Sequence, residues 1–94
     1  GQQNEKNSAY DFCGLVLGYD EKTKLATIQQ RNKFEPGEEI EFFGPEIDTF
    51  RQVVDTIYDE EGNSLDAARH PLQIVQIKVD RPIYPNNMMR KEIG

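Results

Sequence analysis

In QIVQIKVD, residues 73–80, the apolar side chains Val75, Ile77 and Val79 alternate with Gln76, Lys78 and Asp80. Successive side chains of a strand point to opposite faces, so this run predicts a strand with one face in a core and the other in water. The same period recurs upstream in EEIEFF, residues 38–43, where Ile40 and Phe42 alternate with Glu39 and Glu41. Directly before it stand Glu35, Pro36, Gly37 and Glu38. Proline presets φ at the second position of a type II turn and glycine supplies the positive φ of the third, so a turn feeds this second strand.

Outward from these two runs the chain keeps the same character. FCGLVLGY, residues 12–19, is apolar, with aromatic and β-branched members, and predicts a central strand whose Gly14 and Gly18 permit bending or close backbone approach. The polar residues 20–23 separate it from KLATIQQRN, residues 24–32, a second arm of a hairpin. FRQVVDTIY, residues 50–58, partly fits a helical period, but its Thr, Val and Ile content favours a strand, and the DEEGN that follows is hairpin-loop chemistry. Residues 64–69 fit one short helical turn before His70 and Pro71 stop it. Pro82 and Pro85 mark a rigid loop, and residues 88–91 form a short closing strand. The polar, aperiodic residues 1–9 have the composition of a linker, leaving 10–94 as the domain. With no long amphipathic helix, the expected architecture is all-β: a small six-stranded barrel, closed or nearly closed. Its expected interior holds Phe12, Val16, Ile28, Ile40, Phe42, Val54, Val75, Ile77 and Val79.

Ninety-four residues suit one domain with one modest core. Charge is unevenly placed: residues 1–34 sum to +1, residues 35–66 to −10 and residues 67–94 to +3. A domain of net charge −6 repels nucleic acid as a whole, so any contact with RNA or an acidic partner needs local cations. The candidates for such a contact are Arg31, Lys33, Arg81 and Arg90, with Lys91 beside them. The single cysteine, Cys13, rules out an internal disulfide, a CxxC redox pair and a multi-cysteine metal cluster. This cysteine usage, and the absence of any apolar run near the roughly 20 residues that span a bilayer, predict a cytoplasmic chain with no membrane partner. The first residue is Gly1 rather than Met, which suggests a fragment of a longer protein.

Catalytic chemistry is poorly represented. His70 is the lone histidine and precedes a proline, so a dyad with Cys13 has no sequence support. Asp55, Asp59, Glu60, Glu61 and Asp66 lack the spacing of a calcium loop and are expected to be a solvated acidic hairpin. No dinucleotide fingerprint, phosphate-binding loop, nucleophile elbow or HExxH occurs. The expectation is therefore no catalytic residue, no cofactor, no metal and no peptide hydrolysis by the isolated chain.

The order YDFCGLVLGYD, then ATIQQRNKFEPGEEIEFFGP, then DAARHPLQIVQIKVDRPIYPNNMMRK is similar to the C-terminal domain of the U32, or collagenase-like, peptidase family. The resemblance covers nearly all of residues 10–92, and it also looks like the second domain of translation elongation factor Tu in fold. It implies an accessory barrel that follows a larger catalytic domain, the partner expected within the same chain. The family name implies proteolysis, which makes a substrate- or partner-binding module of a peptidase the first expectation. Some members are instead associated with hydroxylation of RNA bases, so an RNA-positioning module is the alternative, and a structural self-association domain the third.

Overall fold

The structure, a computed structural model, describes residues 9–93, and every regular element in it is a strand. The residues 1–9 expected to be a linker lie, apart from Ala9, outside the described residues. The strands are β1 (Tyr10–Asp20), β2 (Leu25–Gln30), β3 (Glu39–Gly44), β4 (Ile47–Val53), β5 (Ile57–Tyr58), β6 (Ser64–Leu65), β7 (Ile74–Lys78) and β8 (Met88–Glu92). They pair antiparallel in one sheet of order β4-β3-β8-β1-β2-β7-β5-β6. The all-β expectation holds. The strands number eight rather than six, and the ladder stays open between its edges β4 and β6. A side chain reaches across where the backbone does not: the Gln52 amide donates to the Lys78 carbonyl at 2.6 Å and its oxygen accepts from the Asp80 N–H at 3.4 Å.

One extra strand comes from the segment expected to be one strand at 50–58, the other from residues 64–69. Val54 and Ile57 are both buried, and an interval of three residues cannot place both on one face of a straight strand. The chain therefore breaks after Val53. Val54 pairs back with the turn, donating to the Glu38 carbonyl and accepting from the Gly37 N–H, both at 2.8 Å, while Ile57 joins β7 at the far side of the sheet. The helical turn expected at 64–69 is also absent. Ser64 and Leu65 form β6, and Ala68 exchanges both backbone hydrogen bonds with Phe34, at 2.8 and 3.1 Å, which satisfies its polar groups as a strand would.

The turns follow their residue chemistry. Gly37 has φ +94°, and the Glu38 N–H reaches the Glu35 carbonyl at 3.3 Å. In the β5–β6 hairpin, Gly62 has φ +90°, and the Asp59 carboxylate accepts from the Asn63 N–H at 2.8 Å and the Glu61 N–H at 2.9 Å. These bonds, led by that from Asn63, hold the Asp59 carboxyl below the usual range for aspartate. A lowered folded-state pKa contributes stability that is present above the unfolded pKa of about 3.9 and lost as pH falls through the folded value. Asp59→Ala should therefore melt below wild type at neutral pH, with the gap closing as pH drops below about 4. A gap independent of pH in thermal melts would refute this role for Asp59.

β1 carries the sheet around its corner. Its first half pairs with β8 and its second with β2, the two overlapping at Gly14 and Leu15. Register slips between Phe12 and Gly14 and again between Val16 and Gly18, so Cys13 and Leu17 are extra residues that bend the strand. At the overlap there is no room for a side chain: a Cβ on Gly14 would sit 2.6 Å from Ile28 Cγ2. The core formed inside holds eight of the nine expected residues together with Cys13, Phe34, Ile57, Ile83 and Met89. Phe12 is the exception, half-buried on the outer face, because the bulge at Cys13 turns Cys13 inward in its place.

Candidate functional site

Antiparallel pairing places cross-strand neighbours side by side on one face. On the outer face Arg51 of β4 stands opposite Glu41 of β3, Glu41 opposite Arg90 of β8, and Arg90 opposite Phe12 of β1. The row is extended by Arg31, whose guanidinium carbon lies 5.3 Å from the centroid of the Phe12 ring. That position is fixed from both sides of the Cys13 bulge: the Arg31 N–H donates to the Cys13 carbonyl at 2.9 Å and the Asn32 amide to the Phe12 carbonyl at 2.7 Å. The Arg31 side chain also donates to Gln29 at 3.1 Å.

Arg90 is the centre of the row. Its guanidinium lies 4.0 Å from the Tyr10 ring centroid and 4.4 Å from that of Phe43, and it donates to Glu41 Oε2 at 3.2 Å. Two rings and a carboxylate thus fix one planar cation, each ring face attracting it electrostatically. Arg51 closes the other end with 3.0 Å to Glu92, 3.4 Å to Glu39 and 3.6 Å to Glu41, a set of anions that raises its pKa, the Glu92 hydrogen bond foremost. The result is a face with three aromatic rings, Tyr10, Phe12 and Phe43, interleaved with the guanidinium planes of Arg31 and Arg90.

Of the four sequence candidates, the structure brings Arg31 and Arg90 together around Phe12. Lys33 sits in the loop after β2, 3.5 Å from Glu35. Arg81 lies over Phe50, 5.0 Å from its centroid, and Phe50 packs with the buried Phe42 at 5.3 Å between centroids, so Arg81 belongs to the inner side of the sheet. Lys91 is held by both carboxylate oxygens of Glu38 at 3.1 Å. The aromatic partners Tyr10, Phe12 and Phe43 are the residues that sequence reasoning missed. The signal for them was an aromatic on the outward phase of an otherwise alternating strand, as in Phe42-Phe43.

The residues considered for catalysis stand apart from this face. Cys13 is fully buried, and burial pushes its thiol up to about 12, which keeps it a protonated core side chain. His70 is exposed in the turn before β7. Among the described residues no three of His, Cys, Asp or Glu are grouped to hold a metal ion, and no helix is long and apolar enough to cross a membrane.

An open eight-stranded antiparallel sheet with an arginine-and-aromatic outer face defines the class of the molecule as an all-β domain. The chain belongs to the peptidase family U32 C-terminal domain, whose profile matches residues 8–90. It is similar to two crystal structures of the C-terminal domain of a U32 peptidase from Geobacillus thermoleovorans. The selenomethionine variant has 68% identity and TM-score 0.85, covering 86% of this chain and 99% of that one. The other has 64% identity and TM-score 0.83, covering 88% and 92%. A curated relative, tRNA hydroxylation protein P1 of Bacillus subtilis (strain 168), is 62% identical over 89 residues, which are 95% of this chain and 21% of that protein. The chain thus spans about a fifth of the length of that relative.

Proposed function

We propose that this domain is a non-catalytic RNA-positioning module of a U32-family protein that modifies tRNA. One observation carries the reading: the Arg31 guanidinium lies over the Phe12 ring, and that of Arg90 over the rings of Tyr10 and Phe43, on a single outer face. Unpaired bases stack on aromatic rings and guanidinium planes alike, and such stacking is worth about 1–3 kcal/mol per base. The tRNA hydroxylation named for the 62% identical relative supports RNA as the substrate class and weighs for the alternative over the peptidase module first expected. Glu41 tempers the local charge of Arg90, so stacking carries more of the contact than phosphate attraction does.

The test is a titration of the 94-residue chain with an unmodified tRNA transcript at low and moderate salt. Phe12→Ala and Arg31→Ala should each weaken binding by about 1–3 kcal/mol with the melting temperature nearly kept. Lys33→Ala and Arg81→Ala, outside the face, should leave binding close to wild type. Affinity unchanged by all four substitutions, or the absence of any binding to tRNA alongside binding to gelatin, would return the domain to the peptidase reading.

A further inference from the structure

The Arg51 end of the row opens into a groove at the end of the sheet. This groove of about 450 Å³ is lined by the carboxylates of Glu38, Glu39, Glu41 and Glu92 against only two cations, Arg51 and Lys91. Glu41 is 92% buried by its 8% exposure, and its Oε1 accepts no hydrogen bond, although Arg51 lies 3.6 Å away. A buried carboxylate oxygen without a donor is costly unless a further donor reaches it. Two large apolar side chains border this groove in the open: Ile93, which lines it and is 56% exposed, and Val53, opposite Glu39 and 57% exposed.

The path of the chain says what covers it. The Ile93 N–H donates to the Ala9 carbonyl at 2.8 Å, so the backbone enters β1 at the groove end of the sheet. The chain is a C-terminal domain by family and spans 21% of its curated relative, so most of such a protein precedes this point.

We propose that the groove bounded by Val53 and Ile93 is the surface on which this domain docks against the preceding part of its own parent chain, through a segment that offers lysine or arginine to the carboxylates and apolar side chains to the rim. Charge excludes RNA from the groove and favours a basic protein segment there. The docking leaves Arg31 and Phe12, farther along the face, open. It is independent of the substrate read above: a peptidase parent needs the same docking as a tRNA-modifying one.

The isolated domain is a usable probe, since the Geobacillus crystal structures are of the corresponding domain and this chain covers 99% of one of them. Hydrogen exchange should be slower at β4 and at residues 39–41 in the full-length parent than in the 94-residue chain. The chain added in trans to the preceding part of the parent should bind it, and the double variant V53E/I93E should weaken that binding by at least about tenfold. Glu39→Lys, on the exposed lip of the groove, should also weaken it and steepen no salt dependence. Equal exchange in the two contexts, or trans binding indifferent to V53E/I93E while both proteins stay folded, would overturn the proposal. So would a concentration-dependent dimer of the 94-residue chain that V53E/I93E abolishes, because the face would then be self-associating. Phe12→Ala reads tRNA binding and V53E/I93E reads docking, so failure of the one reading is seen apart from failure of the other.

Discussion

Phe42→Ala should cost about 3–5 kcal/mol, read from the denaturant midpoint at constant m-value. Phe42 is fully buried at the crossing of three strands: it stands opposite Phe50 on β4 and Met89 on β8. Its ring packs at 5.3 Å and 32° to that of Phe50, an arrangement worth about 0.5–1.5 kcal/mol beyond area alone. Truncation removes this contact and leaves a void beneath the edge strand, where β4 is held by β3 on one side only. A domain of this size has total stability of roughly 5–15 kcal/mol, so the variant should sit near the edge of folding, with its melting temperature down by about 4–8 °C per kcal/mol. Phe42→Leu, which refills much of the volume, should recover most of the loss. A cost for Phe42→Ala below about 1 kcal/mol would mean that β3 does not present this residue to the core.

Ile77→Ala should cost about 2–5 kcal/mol in the same measurement. Ile77 has no exposed surface and lies between Ala26 on β2 and Ile57 on β5. Ala26 is too short to move into the space left behind, and Ile57 belongs to a two-residue strand whose pairing depends on β7. Little can relax into the cavity, so the value belongs in the upper part of the range. Ile77→Val should cost only about 0.5–1.5 kcal/mol. The two alanine variants differ in where they act. Hydrogen exchange should show loosening of β4 in Phe42→Ala, and of β5 and β6 in Ile77→Ala.

The class of the fold was legible because period-two alternation is a local property, visible in Val75, Ile77 and Val79 without knowledge of any neighbour. Turn chemistry was equally local: Gly37 and Gly62 both adopt the positive φ that their contexts demanded. Strand order was not legible. β8, expected as a short closing strand, lies between β1 and β3 in the middle of the sheet, and nothing in MMRKE specifies partners as far away in sequence as Glu41 and Tyr10. Phe34 and Ile83, both fully or nearly fully buried, were missed because they lie outside regular strands and so outside any periodic pattern.

The candidate face was half legible. Arg31 and Arg90 stood out as cations in an acidic chain, but Lys33 and Arg81 stood out equally, and only register and loop geometry separate the pairs. Part of the acidic stretch 35–66 serves as a set of partners: Glu38, Glu39 and Glu41 each hold a cation from another strand. Linear charge counts cannot see this, since Glu41 and Arg90 are forty-nine positions apart.

The extra residue at Cys13 makes β1 a strand in two phases. Below it the aromatic side chains of Tyr10 and Phe12 are turned outward; above it the inward set resumes with Val16, under separate pairing to β2. A bulge of this kind acts as a slip joint: an insertion or deletion near residue 10 is taken up at the joint instead of propagating along the strand and turning the core inside out. Variation in the half of β1 that carries Tyr10 and Phe12 is thereby insulated from the half that holds the fold. The outer face can change its chemistry over generations while the interior keeps its order.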